Sequence, residues 1–156
     1  MLTASPLLSG RPLAAVGAPL ETSVLLDVDR AHELLHLCAQ ESHPIVLSGV
    51  WVQQQCGVSA VQGPLWACGW GHGRLTLRIG DANLLWHEQQ VARTEWRRWR
   101  EPLGLRHGLR LWDEAHAVAL TIGAPLRSPH CEGALWRAWM DWIADIPLCD
   151  SHRHAD

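Results

Sequence analysis

Two histidines stand four residues apart around a glutamate in His-Glu-Leu-Leu-His, residues 32 to 36. On a helix this spacing puts His32 and His36 on one face, where they can ligate zinc while Glu33 acts as the general base of a hydrolase. Such a site needs a third ligand. The stretch from Leu37 to His43 lacks the glycine of the extended version of the motif, and it places His43 beyond the expected end of the helix. The same pattern also describes the solvated face of a packing helix.

A second group lies in the glycine-rich stretch GPLWACGWGHGRL, Gly63 to Leu75, which reads as a loop. His72 sits between two glycines with Trp66 and Trp70 before it, an open imidazole suited to a metal or to haem iron, or a surface histidine in a hairpin. The third group is RTEWRRWRE, Arg93 to Glu101, which carries Trp96, Arg97, Arg98 and Arg100. Guanidinium forks pair with carboxylates and stack on indoles, so this cluster suits a ligand both acidic and aromatic, or a solvated face with cation–π contacts. Haem meets the demands of loop and cluster together: a flat apolar ring, two propionates and an iron.

The composition limits the setting for this chemistry. The chain has 156 residues, 47% of them apolar, and a net charge of −3, enough for one domain with a proper core. Residues 1–156 read as that single domain, with flexible tails at 1–10 and 150–156. All thirteen basic side chains are arginines, and one local cluster does not make a nucleic-acid surface. No apolar run is long enough to cross a membrane, and the N-terminus lacks a basic leader, which points to the cytoplasm. Five cysteines without CxxC spacing read as reduced thiols. Ten tryptophans with no phenylalanine or tyrosine make tryptophan the sole aromatic for core and site alike.

The elements that must position these groups read as two N-terminal helices, a run of strands and a closing helix. Asp27 stands where it could cap a helix whose Ala31, Leu34, Leu35 and Cys38 recur at helical spacing, and His43-Pro44 ends it. PIVLSGVWVQQQ, from Pro44, reads as strand, turn at Ser48-Gly49 and second strand. Leu75, Leu77 and Ile79 alternate with Arg74, Thr76 and Arg78, a half-exposed strand. HGLRLW and AVALTIG alternate on either side of Asp113 to His116, a hairpin. The closing helix places Leu135, Trp136, Trp139, Met140 and Ile143 on one face, with Arg137, Asp141 and Asp145 on the other. For EQQVARTEWRRWR the periodicity admits helix or strand.

Ordered patterns along roughly residues 11 to 147 resemble the C-terminal half of the cytoplasmic haemin-degrading factors of the HemS/ChuS type. They are GAPLETSV (Gly17 to Val24), ELLHLCAQESHPIVLSG (Glu33 to Gly49), GPLW at Gly63, DANLLWHEQQVA (Asp81 to Ala92), LRLWDEAHAVALTIGAP (Leu109 to Pro125) and LWRAWMDWIADIP (Leu135 to Pro147). The GP followed by GHG is also similar to the single-domain ChuX/HutX type. The resemblance implies an α+β domain, a large antiparallel sheet with helices packed on it, and a strand across Val91 to Trp99. It also implies a cytoplasmic haem-binding or haem-transfer protein of haem uptake, with haem degradation a further activity of the family. Gln55 stands where the family's H-T-G-P pattern has its iron-ligating histidine, leaving Cys56, His72 or His87 as substitute ligands and the arginine cluster to meet the propionates. The missing half implies a homodimer or another chain, and a haem-uptake or reductase partner. His32, Glu33 and His36 fall on the family's packing helix, where zinc is not expected. Two other readings stand beside this one: a non-catalytic interaction module of the same fold that has lost its ligand, and a zinc hydrolase.

Overall fold

The computed structural model describes residues 21–102, 104–126 and 132–155, with side chains of the last stretch as far as residue 144. Alternating burial builds the strands β1 (Glu21–Leu26), β2 (Pro44–Ser48), β3 (Ala60–Gly71), β4 (Arg74–Ile79), β5 (Ala82–His87), β6 (Arg93–Glu101), β7 (Gly104–Trp112) and β8 (Val118–Gly123). They make one eight-stranded sheet in the order β1-β6-β7-β8-β2-β3-β4-β5, antiparallel throughout. The helices are α1 (Val28–Gln40), α2 (Val50–Cys56) and α3 (Ala134–Ala155). This is the expected α+β class, with the helices over one face of the sheet. Leu75, Leu77 and Ile79 of β4, Leu84 and Trp86 of β5, and Leu109 and Leu111 of β7 fill that face together with Leu34 and Leu35 of α1.

Helix α1 follows its sequence closely: Ala31, Leu34, Leu35 and Cys38 are its buried residues. Asp27 is its N-cap residue but makes no side-chain cap bond; its carbonyl takes the Arg30 amide at 3.0 Å. At the far end the His43 amide bonds the Cys38 carbonyl at 2.8 Å, and Pro44 opens β2.

Several expectations change. The second strand expected after Gly49 is instead the short helix α2, which buries Trp51 and Val52. Trp51 packs against Trp86 with ring centroids 6.3 Å apart, and that burial outweighs the β-branched content of the segment. The glycine-rich stretch is not a loop: β3 and β4 form a hairpin whose two-residue turn is His72-Gly73, both with positive φ (54° and 72°), as primed turns require. Residues 21–26 are a strand leading into α1, and what precedes them, including the tail at 1–10, lies outside the described residues. Of the closing helix, Trp136, Met140 and Ile143 are buried as expected, but Leu135 is exposed. The backbone is helical through Ala155.

The ambiguous segment becomes a 3-10 turn (Glu88–Gln90) and then β6, and the hairpin between β7 and β8 spans Asp113 to His116 as read. Buried polar bonds tie α3 to the sheet. Glu132 accepts the His107 amide at 3.0 Å and pairs with its ring at 2.5 Å, while the Trp136 indole donates to the His107 carbonyl at 3.1 Å. Among the described residues, no helix is long and apolar enough to cross a membrane.

Candidate functional site

A cavity of about 360 Å³ opens between α1, the β3–β4 hairpin and α3. His32, Glu33, His36 and Leu37 line it from α1, Cys68 and Trp70 from β3, Leu75 from β4 and Trp142 from α3. The register explains the hairpin's share. Cys68 pairs with Leu77 and Trp70 with Leu75, so both side chains point to the helix-covered face. A bulge between Leu65 and Ala67 resets the alternation and leaves Trp66 exposed. Trp70 and Trp142 are each about half exposed, indole walls with one side free.

The two histidines differ in setting although they share a face. The His32 ring lies 3.9 Å from that of Trp70, its Nδ1 is 3.7 Å from the Asp29 carboxylate, and its Nε2 is buried with no hydrogen-bond partner. Burial pushes its pKa below 6.5, against the pull of Asp29 and Glu88, so the ring is neutral at physiological pH. His36 is exposed, its Nε2 3.3 Å from the Gln40 amide. Glu33 is engaged by Arg30 at 2.6 Å. Burial also raises the thiols: Cys38, behind the cavity wall, is pushed up to about 12, and Cys68 also rises. Both remain thiols at neutral pH.

The residues singled out in the sequence are dispersed. Gln55, on the last turn of α2, donates to the Leu85 carbonyl and accepts from the Leu85 amide, both at 2.7 Å. Its amide thus mimics a neighbouring strand along the edge of β5. The Cys56 thiol lies 3.9 Å from the Asn83 carbonyl. His87 caps the 3-10 turn, accepting the Gln90 backbone N–H on its ring, and His72 occupies the exposed hairpin turn.

Alternation splits the arginine cluster. Trp96 is buried, and Arg98 lies over its ring at 5.9 Å. Arg97 points to the other face, stacked on Trp99 at 4.2 Å and bonded to Glu21 at 3.0 Å. Arg98 and Arg100 are exposed. Strand β6 is second in the sheet and β5 eighth, so the cluster and the Gln55–Cys56 pair belong to different ends of it. Among the described residues no group of three or more His, Cys, Asp or Glu is placed to hold a metal ion.

The cavity therefore joins the His32–His36 pair with Trp70, a neighbour of the histidine loop, and with two residues sequence reasoning did not assign to a site, Cys68 and Trp142. The available signal for Trp142 was its place off the stripe formed by Trp136, Met140 and Ile143: a large apolar side chain outside the core face of a helix needs another reason to be there.

No family model matches the chain, and no curated protein matches it either. Solved structures do. The apo form of PhuS, described as a heme-binding protein from Pseudomonas aeruginosa, superposes with a TM-score of 0.63 at 17% identity, over 82% of this chain and 36% of PhuS. ChuS, described as an E. coli heme oxygenase, gives 0.66 at 15% identity over 85% of this chain and 40% of its own. ChuX, described as a heme-binding protein, gives 0.58 at 9% identity over 80% and 76%. The chain thus spans well under half the length of PhuS and ChuS, and most of ChuX. It has the fold of PhuS, ChuS and ChuX.

Proposed function

We propose that the chain is a haem-binding protein of haem uptake and utilisation, carrying haem or handing it on. The observation that carries this reading is an indole-walled cavity on a fold shared with two proteins described as heme-binding and one described as a heme oxygenase. The residues present fit the group. Trp70 and Trp142 offer flat apolar surface and His36 an accessible imidazole. The volume falls within the roughly 300–1,000 Å³ of small-molecule sites. Among the described residues no arginine lines the cavity, so it suits the ring and the iron rather than the propionates. When bound, haem supplies the iron and its visible absorption.

The reading places the protein in the cytoplasm. A second copy of the chain would supply the half that PhuS and ChuS carry in addition, and a donor protein of the uptake pathway would deliver haem. Degradation asks further for electrons from a reductase. A titration with ferric haemin followed in the Soret band tests the reading: a saturable shift at one haemin per chain is expected, and no saturable shift overturns it.

One observation favours a second reading, a non-catalytic interaction module. Gln55 and Arg97, two residues expected at the ligand, are committed to the chain's own Leu85 and Glu21. An assembled apo protein indifferent to haemin would establish that alternative.

A further inference from the structure

We infer that the iron ligand of this site is His36, the second histidine of His-Glu-Leu-Leu-His, with His32 as a positioning residue one turn before it. This rests on the haem reading and supplies the residue that reading leaves unnamed.

At the family's ligand position, Gln55 is clamped to both backbone groups of Leu85, and an amide is in any case a poor ligand for iron. The His87 ring is engaged in capping the 3-10 turn. His72, in the hairpin turn, does not line the cavity. His107 is buried and bonded to Glu132. His36 is both exposed and on the cavity wall, and its Nε2 touches a solvent-exposed glutamine amide at 3.3 Å, a contact that a metal readily replaces.

The role of His32 follows from its packing. Its ring lies tilted against Trp70 at 3.9 Å, and the Asp29 carboxylate beyond Nδ1 favours the tautomer with the proton on that nitrogen. With Nε2 enclosed, His32 holds the indole wall in place and is not itself open to a ligand as large as a porphyrin. The histidine pair that in the sequence suggests zinc would then serve one axial bond and one wall. Among the described residues no group of three or more His, Cys, Asp or Glu is placed to hold a bare metal ion, whereas a porphyrin would bring four nitrogens of its own.

The test compares ferric haemin with iron-free protoporphyrin, which needs the walls but no axial ligand. Wild type is expected to bind both, with the electron paramagnetic resonance and resonance Raman signature of histidine ligation in the haemin complex. His36→Ala should keep protoporphyrin affinity within about twofold, lose at least tenfold in haemin affinity and lose the histidine signature; free imidazole should restore that signature. His32→Ala should weaken both porphyrins alike and keep the signature. Cys56→Ala, His72→Ala and His87→Ala should change neither. His36 is exposed, so its variant is expected to fold; His36→Gln provides a second version with a side chain of similar reach. If both His36 variants bind haemin with unchanged affinity and spectrum, the assignment fails and the haem reading survives. If wild type binds neither porphyrin, both fail.

Discussion

Burial makes His32 a stability element as well as a wall. Its folded-state pKa lies below its unfolded value of about 6.5, so between the two the unfolded chain binds the extra proton. Stability therefore rises with pH through that window and falls as the pH drops below about 6.5. Urea midpoints measured at pH 7.5 and 5.5 are expected to fall on acidification, and by less in His32→Phe, which keeps a ring against Trp70 but cannot take up a proton. Glu21 acts in a lower window: its bond to Arg97 holds its pKa below 4.5 despite partial desolvation, so its contribution is present above that value and is lost as the pH falls through the folded one. Gln55 gives a third test at this scale. Gln55→Ala removes two 2.7 Å bonds to the β5 edge and is expected to cost about 1–2 kcal/mol in chemical denaturation. It should leave haemin affinity unchanged, because its partner is the backbone of Leu85 and not the cavity.

Helix α2 exists because the chain turns sharply ahead of it. Gly49 has φ +123°, and a Cβ there would stand 2.5 Å from the Ala119 carbonyl oxygen on β8. Gly73, in the hairpin turn at φ +72°, has nothing within 4 Å of that position. The two sites separate steric conflict from backbone strain: Gly49→Ala is expected to cost about 3 kcal/mol or more in thermal unfolding, Gly73→Ala about 1–2 kcal/mol. Equal costs would mean that the contact with β8 relaxes freely. The same elements show what a sequence can disclose. Helix α1 and strand β4 were legible because each carries one clean period and one buried face, and the Asp113–His116 hairpin because two alternating runs flank it. Helix α2 was hidden because Val50 and Val52 favour strand locally, while the burial that decides the matter comes from Trp86, more than thirty residues on. In the β3–β4 hairpin, glycines blur the alternation and a bulge resets it. The cavity was legible in its α1 portion and in Trp70 of the glycine-rich stretch; that these meet each other and Trp142 is a matter of tertiary packing, which no local pattern records.

At the scale of the whole molecule, the solvent face of the sheet near β1 is satisfied by its own charges. Arg110 bonds Glu21 at 3.0 Å and Glu95 at 2.6 Å, Arg97 bonds Glu21 and stacks on Trp99, and Arg93 stacks on Trp112 at 4.3 Å. This lattice of guanidinium, indole and carboxylate joins the edge strand β1 to β6 and β7 and accounts for Arg97, one member of the cluster that in the sequence suggests a ligand. On the helix side the half-exposed indoles of Trp70 and Trp142 line the cavity without, among the described residues, guanidinium or carboxylate of this kind against them. A ligand that binds there in the native state alone stabilises the whole domain by mass action, about 2.7 kcal/mol at a hundredfold excess over Kd. For a chain of this size that corresponds to roughly 5–10 °C in Tm. Calorimetric scans with and without haemin are expected to show such a rise for wild type. For His36→Ala the apo Tm should match wild type, because the side chain is exposed, while the rise with haemin should shrink by about 3 °C or more for a tenfold loss of affinity. An equal rise in both proteins would mean that His36 is not the iron ligand.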